Sequence, residues 1–138
     1  MKIKYDMELM GFMKIFQQIT RARLKDCLVD ENSLLTFIVE QDEIGKAVGK
    51  KASNVMVLER AFKRKIKIAE FNNEVTGFVK SLIYPLKALD IQDEDGVITI
   101  TPQDSKTRGY LIGRAASNLR NLESITKRYF QIKEIKVI

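Results

Sequence analysis

The sequence predicts an α+β protein built as two tandem copies of one α-β-β-α-α-β unit. Three observations carry this expectation. The chain matches itself at an offset of 64 residues. Each half opens with a helical apolar pattern and then two extended segments around a polar turn. Each half then runs through a short helix, a glycine-led break and a longer helix into a final strand.

The self-match sets the frame. Residues 45–70, GKAVGKKASNVMVLERAFKRKIKIAE, align with residues 109–134, GYLIGRAASNLRNLESITKRYFQIKE. Eleven of these 26 positions are identical: Gly45/Gly109, Gly49/Gly113, Ala52/Ala116, Ser53/Ser117, Asn54/Asn118, Leu58/Leu122, Glu59/Glu123, Lys63/Lys127, Arg64/Arg128, Ile68/Ile132 and Glu70/Glu134. Val48/Ile112 and Val55/Leu119 keep their apolar character. The expected units are 1–70 and 71–138, joined by the short stretch Phe71 to Gly77. A joint this short is expected to hold the two modules rigidly, so that both could engage one strand and gain from effective concentration.

In the first half, Leu9, Phe12, Met13, Phe16 and Ile19 fall on one face of a helix over residues 7–19. Extended segments follow near 22–29 and 34–40, with Asp30-Glu31-Asn32 as the turn between them. In the second half a helix near 74–84 stops before Pro85, because a residue preceding proline is driven out of the helical region. Segments near 86–92 and 97–101 flank the turn Asp93-Glu94-Asp95-Gly96. The breaks are Gly49-Lys50-Lys51-Ala52 and Gly113-Arg114-Ala115-Ala116. Ser53 and Ser117 are placed to cap the longer helices. Those helices carry Val55, Leu58 and Phe62, or Leu119, Leu122 and Thr126, on one face. The last strands are expected near 66–70 and 132–137.

Composition narrows the function. A chain of 138 residues, 45% hydrophobic, suits one domain or two small ones. No run is long enough to span a membrane. Asp6, Glu8 and Lys14 interrupt the first twenty residues, unlike the core of a signal peptide, so a cytoplasmic location is expected. Cys27 is the single cysteine and there is no histidine. The common zinc ligand sets and any Ser-His or Cys-His pair are thereby excluded. No Asp or Glu cluster in an apolar setting offers acid/base chemistry. A non-enzymatic protein without cofactor or metal is expected.

The net charge is +6, and between Lys46 and Lys67 stand eight basic residues and one acid, Glu59. Such a cluster fits a polyanion-facing surface or a solvated helix face. The breaks favour the first. Glycine at a tight helix–helix turn allows close backbone approach, and the next helix presents N–H groups and the positive end of its dipole to a phosphate. Lys50, Lys51 and Arg114 add charge at the same points. Gly49 and Gly113 would equally serve as plain terminators of the short helices.

These residues resemble the KH domain, and the αββααβ order resembles its type II form. Most similar are the archaeal NusA-like proteins, which consist of two KH domains. The resemblance covers essentially the whole chain. It rests on Ile19 to Cys27, Val29-Asp30-Glu31, Asp42 to Lys50, and Arg108 to Arg114. It implies a three-stranded mixed sheet packed against helices in each domain. It also implies that the loops clamp single-stranded RNA along its backbone while an apolar groove receives bases. The implied RNA-binding residues are Lys46, Gly49, Lys50, Lys51 and Ala52 in the first domain, and Gly113, Arg114, Ala115 and Ala116 in the second. The implied role is transcription elongation, termination or antitermination on nascent RNA near RNA polymerase, by a monomer. A role in translation or RNA turnover is the other RNA-based expectation.

The loops depart from the family pattern in one respect, since both end in alanine where a second glycine is normal. A helical backbone there would make the methyl group harmless; a positive φ would weaken RNA binding. With Ala115 also replacing a basic residue, the first module is expected to dominate RNA contact. If both loops are degenerate, the alternative is a protein-interaction module docking on RNA polymerase or a ribosomal assembly. Gly45 to Lys51 is not a P-loop, because three residues rather than four separate its glycines and no Ser or Thr follows the lysine. Cys27 is expected to pack as a small hydrophobe. Met7, Met10 and Met13 are expected to fill core or interface, and packing is expected of Tyr110, Tyr129 and Phe130 ahead of base stacking.

Overall fold

The computed structural model describes residues 6–138. The chain divides into two compact units, one through Phe71 and one from Asn72 onward. The first begins with helix α1 (Met7–Thr20), whose N-terminus is capped by the Asp6 carboxylate accepting the Leu9 N–H at 2.8 Å. The helix ends at Arg21, which turns left-handed. Strands β1 (Leu24–Val29) and β2 (Leu35–Val39) pair antiparallel, from Leu24 opposite Val39 to Val29 opposite Leu35. Two helices, α2 (Ile44–Val48) and α3 (Ser53–Phe62), then cross over to β3 (Ile66–Glu70), which runs parallel to β2. The result is a three-stranded mixed sheet with β2 in the middle.

The helical period of α1 decides which residues enter the core. Phe16 is fully buried in one cluster with Ala22, Cys27, Leu35, Phe37, Val39, Ala47 and Leu58, and Leu9, Phe12, Met13 and Ile19 pack against it. Phe37 stacks on Phe16 at 4.3 Å between ring centroids and on Phe62 at 5.8 Å, and Phe12 meets Phe62 edge-on at 5.0 Å. Cys27 is a fully buried part of this core. Of these three methionines only Met13 packs here, whereas Met7 and Met10 are exposed.

The second unit repeats the order with α4 (Val75–Ile83), β4 (Ala88–Glu94), β5 (Val97–Pro102), α5 (Ser105–Ile112), α6 (Ser117–Lys127) and β6 (Glu134–Val137). Again the first two strands are antiparallel and the last is parallel to the middle one. Phe78, Val79 and Leu82 of α4 are buried, as are Ile98 and Ile100 of β5, Leu122 and Ile125 of α6, and Ile135 of β6. Tyr129 and Phe130 pack on the Phe78 ring at 5.3 and 5.7 Å. Tyr110 does not follow them into the interior.

The two hairpins differ from the expected turns in opposite directions. In the second, β4 runs on to Glu94, which pairs with Val97, so the turn shrinks to Asp95-Gly96. Both residues have positive φ, 52° and 85°, the tight two-residue turn that suits strand twist. In the first, the loop lengthens to residues 30–34. There the Asp30 carboxylate accepts the Asn32 and Leu34 N–H groups, each at 2.9 Å, and Ser33 takes a φ of 64°.

Candidate functional site

Each glycine-led break joins two helices by the same backbone path. The short helix closes with the Gly49 N–H donating to the Gly45 carbonyl at 3.0 Å, or the Gly113 N–H to the Gly109 carbonyl at 2.8 Å. Gly49 then adopts φ 78°, ψ 168°, and Gly113 adopts φ 74°, ψ 176°, a region essentially reserved for glycine. Two consecutive left-handed residues follow: Lys51 and Ala52 in one copy, Ala115 and Ala116 in the other. The alanines that end the loops therefore sit at φ 59° and 61°.

Space demands glycine as well. A Cβ on Gly49 would lie 2.8 Å from the Ser53 hydroxyl and 3.1 Å from the Asn54 nitrogen. On Gly113 it would lie 2.7 Å from the Asn118 side chain and 2.9 Å from its backbone nitrogen. The asparagine that crowds each glycine also fixes the loop. The Asn54 side-chain amide donates to the Lys46 carbonyl at 3.0 Å, and the Asn118 amide donates to the Tyr110 carbonyl at 2.8 Å. The repeated glutamates are structural too: Glu59 accepts the Ile66 N–H and Glu123 accepts the Ile135 N–H, tying helix to final strand.

Ser53 and Ser117 are not the caps that the sequence led us to expect. Each is already helical, near φ −60°, so the capping position falls one residue earlier, on Ala52 or Ala116, which have no side chain to cap with. Among the other helices, α1 and α5 are capped by Asp6 and by Asp104, which accepts the Thr107 N–H at 2.7 Å, whereas α2 and α4 also lack a side-chain cap. The N-termini of α3 and α6 thus carry their positive dipole ends at the exposed turns without a carboxylate or hydroxyl across them.

The basic cluster of the first unit separates into two places. Lys46, Lys50 and Lys51 are exposed around the turn, where Gly49 and Ala52 are half-buried. Arg60, Lys63, Arg64 and Lys65 lie around the far end of α3, about 15 Å along a helix of ten residues. Arg64 there donates to the Ser33 carbonyl at 2.9 Å, and Lys65 pairs with Glu59 at 3.8 Å. Lys67 is half-buried on β3; desolvation holds its ammonium below the usual lysine range, and Asp30 partly opposes the shift. In the second unit Arg114 and Ala115 are exposed and Gly113 and Ala116 half-buried. Glu43, just before α2, is an acid within electrostatic reach of Lys46. Its carboxylate accepts the Arg23 N–H at 2.7 Å, is paired with that guanidinium at 3.5 Å, and is held below the usual glutamate range mainly by this backbone bond.

No family model matches the chain. It is nevertheless similar over most of its length to archaeal proteins named "Probable transcription termination protein NusA". The Methanocaldococcus jannaschii relative is 31% identical over 134 residues, covering 91% of this chain and 71% of the relative. Those of Thermoplasma acidophilum and Halobacterium salinarum are 25% and 24% identical, covering 99% of this chain and 96% and 99% of the relatives. Among solved structures, the crystal structure of APE1850 shares the fold, with a TM-score of 0.73 at 22% identity over 97% of this chain and all of that one. The duplicated fold and the level of identity along the whole chain agree: it belongs to the archaeal NusA-like proteins.

Proposed function

We propose that the chain is a single-stranded RNA-binding factor of transcription elongation or termination, not an enzyme, and that each unit is a type II KH domain gripping the RNA backbone at its glycine-led turn. One observation carries the reading. Twice, an exposed turn delivers an uncapped helix N-terminus together with basic side chains, which is an arrangement for phosphate. The parallel pairing of each last strand with the middle one supports the type II assignment.

Gly45 and Gly109 add support. Each sits inside a helix, where glycine costs about 1 kcal/mol relative to alanine. A Cβ on either would meet nothing within 4 Å, so no internal contact requires the glycine. Room beside the turn for a ligand explains both. The names of the archaeal relatives favour transcription termination as the process; nascent RNA and RNA polymerase are the partners proposed for it.

The test is fluorescence anisotropy of an unstructured oligoribonucleotide over a salt series. Affinity is expected to fall with salt by about 0.7 log units per log unit for each phosphate contacted. Lys50→Asp with Lys51→Asp should cost at least about tenfold, more than Arg114→Asp with Ala115→Asp, since opposed charge then faces the phosphates. A chain with no affinity for single-stranded RNA at low salt sinks this reading. Co-purification with polymerase in the absence of RNA would then favour docking on protein.

A further inference from the structure

We infer that Tyr110 gives the second unit a nucleobase-stacking subsite that the first unit lacks, so that the two units hold RNA by different forces. This inference rests on the RNA reading above and refines it. The repeat aligns Tyr110 with Lys46. Each follows a glycine whose Cβ position is open, and each has its carbonyl held by the amide of Asn118 or Asn54. The backbone that presents the two side chains is therefore the same and is fixed at the same atom. What it presents differs: an ammonium in one unit and an aromatic ring in the other.

The ring is open to solvent. Tyr110 is 55% exposed, whereas Tyr129 and Phe130 bring their rings against Phe78. Its position decides between an incidental surface tyrosine and a working one. It stands one helical turn before Gly113, the residue at which α5 ends and the loop begins. Open space lies beside it at Gly109. The aligned positions differ in kind: the first unit carries Lys46, Lys50 and Lys51 where the second carries Tyr110, Arg114 and Ala115, and the second in turn carries Lys106 and Arg108 where the first has Asp42 and Ile44. A base stacked on the Tyr110 ring while Arg114 meets the adjoining phosphate would add a stacking contact that Lys46 cannot make. Binding through the first unit is then dominated by phosphates, and binding through the second depends on the base.

The experiment uses the full chain and labelled oligoribonucleotides of equal length, one with all its bases and one containing abasic positions. Tyr110→Ala should lower affinity for the first about fivefold to a hundredfold, the range of a single aromatic–base stack. It should leave the salt slope unchanged and shrink the preference for intact over abasic RNA. Tyr110→Phe keeps the ring and should recover most of the affinity. Arg114→Ala should instead reduce the salt slope, by about 0.7 for a phosphate contact. If wild-type chain binds RNA and Tyr110→Ala binds it equally well, or if the variant loses salt dependence rather than base dependence, Tyr110 is no subsite. If the wild-type chain binds no RNA, the inference falls together with the RNA reading.

Discussion

The two glycine-led turns follow nearly one backbone path with different side chains. Lys51 at φ 54°, ψ 36° is matched by Ala115 at φ 53°, ψ 33°, and Ala52 by Ala116 within a few degrees. The identical residues of the repeat account for this. Gly49/Gly113 turn the chain, Asn54/Asn118 hold it, Leu58/Leu122 anchor the following helix, and Glu59/Glu123 tie that helix to the sheet. The long side chains that meet solvent at the turn differ, Lys46/Tyr110, Lys50/Arg114 and Lys51/Ala115, whereas the small exposed residues Gly45/Gly109 and Ser53/Ser117 are kept. Duplication has kept the frame and left its chemistry free to diverge. Internal identity is thus a guide to architecture, and the non-identical positions show where the units differ in what they can bind.

The largest effect should come from breaking the frame itself. Gly49→Ala and Gly113→Ala each force a side chain into a glycine-only region and against the next helix, for a loss of about 3 kcal/mol by urea denaturation. The second should be the worse. On Gly113 the new methyl meets the side chain and the backbone nitrogen of Asn118 at 2.7 Å and 2.9 Å, whereas on Gly49 the nearest atom is the Ser53 hydroxyl on an exposed side chain that can rotate away, and Asn54 stands back at 3.0 and 3.1 Å. Equal and small losses would show that the two turns are not built as described.

A smaller effect should follow from cutting the asparagine tie. Asn54→Ala and Asn118→Ala remove bonds of 3.0 and 2.8 Å to exposed helix carbonyls, which water can then solvate. The expected cost is about 0.5–1 kcal/mol at either site. Hydrogen exchange in the first turn of α3 or α6 should quicken locally, in the unit that was altered. Faster exchange spread over both units would contradict the local role.

The duplicated order of elements was legible because apolar spacing and glycine breaks are properties of short segments. Helix α1 follows the spacing of Leu9, Phe12, Phe16 and Ile19, and α4 stops at Tyr84 before Pro85. Two parts of the site were not legible. The left-handed pairs Lys51-Ala52 and Ala115-Ala116 contain no glycine, and a serine next to them mimicked a cap that lies one residue away. Asn54 and Asn118 could have been found, since a polar residue repeated beside a glycine turn has few reasons other than a bond to the backbone. Charge was misjudged by adjacency in sequence: Lys50 and Lys65 belong to one basic run but to opposite ends of α3.

The alanines at the ends of the loops give the smallest and most discriminating test. Ala52 and Ala116 hold φ 59° and 61°, a conformation that disfavours any residue with a Cβ. Ala52→Gly and Ala116→Gly should each raise stability, by about 0.5–1 kcal/mol after the greater freedom of glycine in the unfolded chain is deducted. The gain should be the same in both units, because the backbone is the same. RNA affinity should change by less than about threefold, or roughly 0.6 kcal/mol, since the turn already has its bent form without ligand. The strain is then a cost to folding and not, as a positive φ at these alanines led us to expect, to binding. A tenfold gain in affinity on Ala52→Gly would show instead that the methyl group stands in the path of the phosphate. The first loop would then be a weakened clamp, and the case for docking on protein would rise.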